Sequence, residues 1–191
     1  MSKKGELRAR LAAELLAAHA RGDVRLAAGR ASDFYGPGAR LAAIFGDRFW
    51  QRVLAGKAGE SLGDPEMKHS YSYVDDVAAG LATLGAGEAA LGKVWHLPVA
   101  PAEPTRRTIE RMFQALDRPA KVTALLTLVL RFAGLFAPIL REVAEMAYQW
   151  TTPFVLDDSR FRAAFGGTAT PLEAGCAATV AWAKTAYAPA R

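Results

Sequence analysis

A helix, a tight turn and a buried strand in immediate succession constrain this chain most. Between Glu6 and His19 the leucines Leu7, Leu11 and Leu15 recur at i, i+4 and i+8, with Leu16 and several alanines beside them. That spacing marks one face of a helix. Glu6 and Arg10 form a favourable i,i+4 pair. Arg21-Gly22-Asp23 ends the helix, with Gly22 suited to the left-handed C′ position. Val24 to Ala28 then reads as a short buried strand, and Gly29–Gly38 as a loop of small and turn-forming residues. A helix followed at once by a buried strand points to an α/β layer.

The alternation continues for some distance and then changes. Leu41–Leu54 has helical spacing. Lys68–Tyr73 alternates polar and aromatic residues, as a half-exposed strand does. Val74–Leu84 reads as a helix, with Asp75 and Asp76 in the first turn, where the helix dipole favours anions. Lys93–Leu97 is a further strand, and short strands are expected near Glu60–Leu62 and Lys68–Ser72. After a proline-rich connection at Pro98–Pro104 the pattern is nearly all helical. Helices are expected over Thr105–Leu116 with Thr105 as N-cap, Leu125–Phe132, Ile139–Trp150, Asp158–Phe165 and Pro171–Lys184. In the last, Thr170 reads as the N-cap and Pro171 as the first helical residue.

Charge and composition narrow the partners. The net charge is +5, yet Arg8, Arg25, Arg40, Arg52, Arg111 and Arg131 are scattered, without a basic run interleaved with aromatics. A nucleic-acid site needs such a stripe, so no nucleic-acid partner is expected. The polar start Met-Ser-Lys-Lys-Gly-Glu has neither the apolar core nor the small-residue cleavage site of a signal peptide. The stretch Val122–Leu140 is apolar but broken by Arg131, Gly134 and Pro138. An arginine at a bilayer centre costs roughly 2.5–3.5 kcal/mol, so a packed helix pair is expected there and no membrane span. The single cysteine, Cys176, excludes an internal disulfide, reads as core, and fits a reducing, cytoplasmic setting. His19 at a helix end and His96 on a strand read as structural. No spacing of His, Cys, Asp and Glu suits a metal ion.

Five segments then follow one another along nearly the whole chain. They are Arg30-Ala31-Ser32-Asp33-Phe34-Tyr35-Gly36-Pro37-Gly38, His69-Ser70-Tyr71-Ser72-Tyr73-Val74-Asp75-Asp76-Val77-Ala78, Gly92-Lys93-Val94-Trp95-His96-Leu97, Asp158-Ser159-Arg160-Phe161, and Pro171-Leu172-Glu173-Ala174-Gly175 with Trp182. In this order they resemble the "R-P-x-N-V-Y-G-P-G", "R-D-F-x-x-V-D-D-V-A", "G-x-x-Y-N-I/L", "D-x-S-K/R-L" and "P-L-E-E-G-L … W" motifs of the extended short-chain dehydrogenases/reductases, the NAD-dependent epimerase/dehydratase family. Each motif is weak alone, and the order supports them jointly.

The resemblance implies an α/β fold: the helix-rich C-terminal portion of a Rossmann-type NAD(P)-binding fold plus a small substrate-binding lobe. Residues 1–100 would hold the Rossmann part with interleaved substrate-lobe segments, and residues 101–191 the mainly helical substrate lobe. It implies NAD or NADP as cofactor and a small-molecule substrate, a sugar or another hydroxyl-bearing compound. The family's catalytic pair is Tyr-x-x-x-Lys. An unperturbed tyrosine titrates near pH 10, and the adjacent cation lowers that value. Lys4 matches the lysine, as a catalytic and cofactor-binding residue. It lies three residues before Leu7, on the same side of the helix. The alternative is that Lys3 and Lys4 are a solvated pair. On this match the tyrosine falls four residues before Lys4, ahead of Met1. A G-x-x-G-x-x-G turn is also lacking, because Gly85-Ala86-Gly87 follows a helix and the fingerprint needs strand, turn and helix.

Three more positions carry over by resemblance. Ser32 matches the residue that faces the nicotinamide, as a cofactor contact. Asp33 matches a substrate-facing position where Asn is common. His69 stands where many relatives carry an arginine that binds a nucleotide pyrophosphate, and imidazole is a poor substitute for a bidentate guanidinium. Asp33 and His69 are therefore the expected substrate contacts, and they point away from an ordinary nucleotide-diphosphate sugar. The simpler readings are a Ser-Asp turn pair and a surface histidine on a strand. The expected whole is a partial enzyme, inactive alone. The alternative is a non-enzymatic remnant that binds a ligand or partner. A Rossmann sheet reduced to its last strands exposes an apolar edge and face, and such surfaces pair with another chain, a second copy included.

Overall fold

The parallel pairing of short strands organises this chain. In the computed structural model, residues 3–42, 44–125 and 146–188 are described. The elements run α1 (Lys3–Ala20), β1 (Ala28–Arg30), β2 (Asp33–Tyr35), α2 (Asp47–Leu54), β3 (Gly59–Leu62), β4 (Lys68–His69), β5 (Tyr71–Tyr73), α3 (Val74–Ala86), β6 (Val94–His96), β7 (Glu103–Pro104), α4 (Thr105–Ala115), β8 (Val122–Leu125), α5 (Ser159–Phe165) and α6 (Leu172–Ala186). Among the described residues β1 pairs with β6, β2 with β5 and β3 with β8, all parallel, while β4 pairs antiparallel with β7. Parallel neighbours require crossover connections, so the expected α/β class holds. The pairing of β1 with β6 joins the two stretches expected to form the end of a Rossmann sheet.

Two apolar clusters hold these pairs. The larger gathers Tyr35, Phe45, Phe49, Trp50, Tyr71, Ile109, Met112, Phe113, Cys176 and Val180, and so joins β2, β5, α2, α4 and α6. It takes residues from both sides of position 100. The smaller lies under β6, where Trp95 and Leu97 meet Leu84 of α3 and Phe161 of α5. By contrast, the leucine face of α1 is open: Leu7 is 64%, Leu11 54% and Leu15 39% exposed. The edge of β1 away from β6 pairs with no other described strand.

Several local expectations need correction. The strand expected at 24–28 forms at Ala28–Arg30, where the β6 ladder gives it hydrogen-bond partners. The helix expected from Leu41 begins only at Asp47. The Asp47 N–H donates to the Arg40 carbonyl 2.8 Å away, and the intervening turn packs against Gly46 where a Cβ would collide with backbone oxygens. The strand expected over 68–73 divides at Ser70, because β4 and β5 pair with different partners and Ser70 N–H donates to Phe154 O at 2.9 Å. Neither Thr105 nor Thr170 caps a helix. Thr105 is the first residue of α4, and its hydroxyl shares a 2.7 Å hydrogen bond with that of Tyr71. Thr170 donates through N–H and hydroxyl to Asp76, at 2.8 and 2.7 Å. Leu125 lies in strand β8 rather than in a helix, and Ala147–Trp150 is a 3-10 turn. The rest of the two helices expected over 125–132 and 139–150 lies outside the described residues. No helix among the described residues is long and apolar enough to cross a membrane.

The packing of α6 on β2 is tight at one point. Gly175 faces the Tyr35 ring, and a Cβ there would sit 2.9 Å from Tyr35 Cε2 and Cζ and closer still to its hydroxyl. That hydroxyl is buried without a partner among the described residues. Gly175→Ala should therefore destabilise the fold by about 1–3 kcal/mol, as overpacking does. Tyr35→Phe should be no less stable than the parent, since it removes an unsatisfied buried group. Urea unfolding of the two variants checks both expectations.

Candidate functional site

The C-terminal end of β1 leads directly into β2, and the loop between them places Ser32 and Asp33. Open α/β sheets bind ligands beyond the carboxyl ends of their strands. The β2–β5 ladder sets Asp33 opposite Tyr71, and His69 ends β4 one residue before β5. Asp33 and His69, 36 positions apart, meet here: His69 Nε2 lies 3.0 Å from Asp33 Oδ2. With a carboxylate as acceptor, His69 carries its proton on Nε2.

A third residue joins them. The Trp150 indole N–H donates to the same Oδ2 at 2.9 Å, across 117 positions. Trp150 is itself anchored by the two residues that follow β3. Its carbonyl accepts the Asp64 N–H at 3.0 Å. Gly63, at φ 64°, lies so close beneath it that a Cβ would sit 2.8 Å from the Trp150 carbonyl carbon. Glycine adopts this left-handed conformation without strain. Sequence reasoning missed Trp150, and no local signal marks it, because its partner is distant in the chain.

His69 is not a surface residue. It is 2% exposed and lies between two rings, Phe154 stacked at 5.1 Å and Tyr71 at 4.8 Å between centroids. Phe154 is brought opposite it by backbone pairing: Phe154 N–H donates to the Lys68 carbonyl at 2.9 Å. Asp33, with 22% of its side chain exposed, is the accessible member of the pair. Ser32 is buried. Its N–H donates to Ser72 Oγ at 2.9 Å, and its hydroxyl donates to the Ser70 carbonyl. Ser70 Oγ in turn accepts the Leu156 N–H at 3.0 Å. Ser32, Asp33 and His69 thus converge, with their partners drawn from β5 and the 150–156 segment. Lys4 lies in the first turn of α1, exposed, on the same face as the open leucines.

The chemistry available is that of a fixed carboxylate. Tyr35 and Tyr71 are not activated acids: burial pushes both hydroxyls far above the usual tyrosine value, and neighbouring negative groups add to the effect. Cys176 is no nucleophile either. Burial, with Glu103 nearby, pushes its thiol up to about 12. His96 Nδ1 meets the Asp157 carbonyl at 2.8 Å, a satisfied structural histidine. Among the described residues no cluster of three or more His, Cys, Asp or Glu side chains could hold a metal ion.

Comparison with protein-family models and with curated proteins returns no match. Solved structures do match in fold. The chain is similar to UDP-glucuronic acid 4-epimerase from Bacillus cereus, solved with UDP-glucuronic acid and NAD, at a TM-score of 0.63 and 17% identity over 83% of this chain and 45% of that one. It is similar to a dTDP-glucose 4,6-dehydratase from Streptomyces venezuelae, solved with NAD, at 0.63 and 16% identity over 91% of this chain and 49% of that one. An epimerase from Methanothermobacter thermautotrophicus gives 0.67 and 13% identity over 91% and 47%. The fold therefore matches part of the Rossmann-type fold of these epimerases and dehydratases, and the chain spans about half the length of the structures it matches.

Two outcomes follow from this geometry. Asp33→Ala leaves the N–H groups of His69 and Trp150 without their acceptor and should cost about 1–3 kcal/mol, while Asp33→Asn, which keeps an acceptor, should cost less. A chemical-denaturation midpoint unchanged in Asp33→Ala would dismiss the contact as a structural tie. The Cys176 thiol should stay unreactive towards a disulfide reagent in the folded chain at pH 9. An unfolded thiol ionises near pH 9.0 and the folded one near 12. This contribution to stability is therefore complete below pH 9 and lost as pH rises from there towards 12.

Proposed function

We propose that this chain is the substrate-side portion of an NAD-dependent epimerase/dehydratase-type enzyme acting on a sugar or another hydroxyl-bearing small molecule. The observation that carries this reading is the convergence of Ser32, Asp33 and His69 beyond β1, within a fold shared with half of several epimerases and dehydratases. Asp33 and His69 are assigned to the substrate, Asp33 by contact and His69 by orienting it. Lys4 is assigned to the cofactor and the catalytic pair. The support for Lys4 is its match to the motif lysine, and in the fold it stands exposed in the first turn of α1.

The residues present do not by themselves fit a dinucleotide. Ser32 spends its hydroxyl on the Ser70 carbonyl, and Gly85 lies inside α3 with Gly87 just after it, rather than after a strand. Nicotinamide chemistry would need polypeptide outside residues 1–191 to supply the glycine-rich turn and the tyrosine. The open leucines of α1 favour a second reading, a non-enzymatic module that pairs through this face. A strictly monomeric chain by light scattering would count against that alternative.

Calorimetric titration of the chain with NAD should give no saturable binding. Joining the N-terminal half of the Bacillus cereus epimerase ahead of Lys4 should restore it, and Lys4→Ala in that fusion should weaken it roughly tenfold, the loss of one charge-assisted hydrogen bond. Turnover of a sugar substrate by the unfused chain with NAD would sink the idea of a partial enzyme. A fusion that binds NAD no better than the chain alone would sink the assignment of Lys4.

A further inference from the structure

The Asp33 carboxylate is held from behind. Its Oδ2 receives the N–H groups of His69 and Trp150, and both donors are buried, at 2% and 6% exposure. His69 stacks on Phe154 and packs against the tilted ring of Tyr71. Lys68, its neighbour on β4, points to the opposite, exposed side, as adjacent strand residues do. Arg106 and Arg111, on α4 beyond β7, are tied to Glu66 and Glu103. What the site offers outward is thus an acceptor with a negative charge, while the two N–H donors beside it are already used.

We propose, on the footing of the substrate-site reading above, that Asp33 selects a ligand group that donates a hydrogen bond and turns away phosphate. A carboxylate accepts only, so its partner must be a hydroxyl or a protonated amine. The amine adds charge attraction, and charge-assisted hydrogen bonds are the stronger kind. A phosphate brings only acceptor oxygens and like charge. His69 cannot compensate, since its Nε2–H is engaged and the residue is buried. The ligand class is an amino sugar or unphosphorylated polyol, with the amino sugar preferred.

The Trp150 indole N–H reports on this directly, because it shares Oδ2. Its signal in a nitrogen–proton correlation spectrum, assigned through its loss in Trp150→Phe, is followed while the intact chain is titrated with methyl glucosaminide, methyl glucoside and UDP. The aminosugar should shift it saturably, the neutral glucoside about tenfold more weakly, and UDP not at all. Added salt should weaken the aminosugar alone, a test made on the unaltered chain. Asp33→Asn should bring the aminosugar to the level of the neutral glucoside. Binding of UDP as tight as that of the aminosugar, or a preference untouched by Asp33→Asn and by salt, overturns the inference while the substrate-site reading stands. Silence towards all three ligands overturns both.

Discussion

One carboxylate oxygen ties together parts of this chain that local structure would leave apart. Asp33 Oδ2 accepts hydrogen bonds from a residue at the end of β4 and from another in the 3-10 turn before residue 151. The arrangement requires several placements at once. The β2–β5 register must bring Asp33 opposite Tyr71. Phe154 must pair beside β4 to cover His69. Gly63 must leave room for the Trp150 backbone. A partly buried charge with two N–H donors depends on all of them being in place, because leaving a buried donor unpaired costs more than its bond contributes.

The same contact sets the character of the site. A carboxylate backed by donors is rigid in position and cannot easily turn away. Its neighbours Ser32 and Ser70 spend their own polar groups within the loop network. Little freedom is left for the site to reshape itself around a ligand of the wrong charge. The leucine face of α1 is a separate, exposed apolar stripe.

Much of this was legible in the sequence, and the misses share a cause. The α1 helix and its Gly22 stop, the β6 strand and α3 all follow from local periodicity and turn chemistry, and each is present. The positions of Ser32, Asp33 and His69 came from motif order. The burial of His69 did not, because alternating polar and aromatic residues suggest a half-exposed strand, and only Phe154, arriving from far along the chain, covers it. β8 read as helix because its apolar residues could serve either state, and pairing with β3 decides between them. Thr105 and Thr170 looked like helix caps, yet Tyr71 and Asp76 offer their hydroxyls better partners.

By itself the sequence determined the α/β class, the order of the motifs and which polar residues stand at the end of the first strand. These depend on spacing and residue type, which are local. Tertiary structure alone decided that Asp33 and His69 touch, that Trp150 completes the group, and that the exposed group of the pair is an acceptor. Those facts depend on contacts across 36 and 117 positions, and no local propensity encodes a contact between side chains that distant.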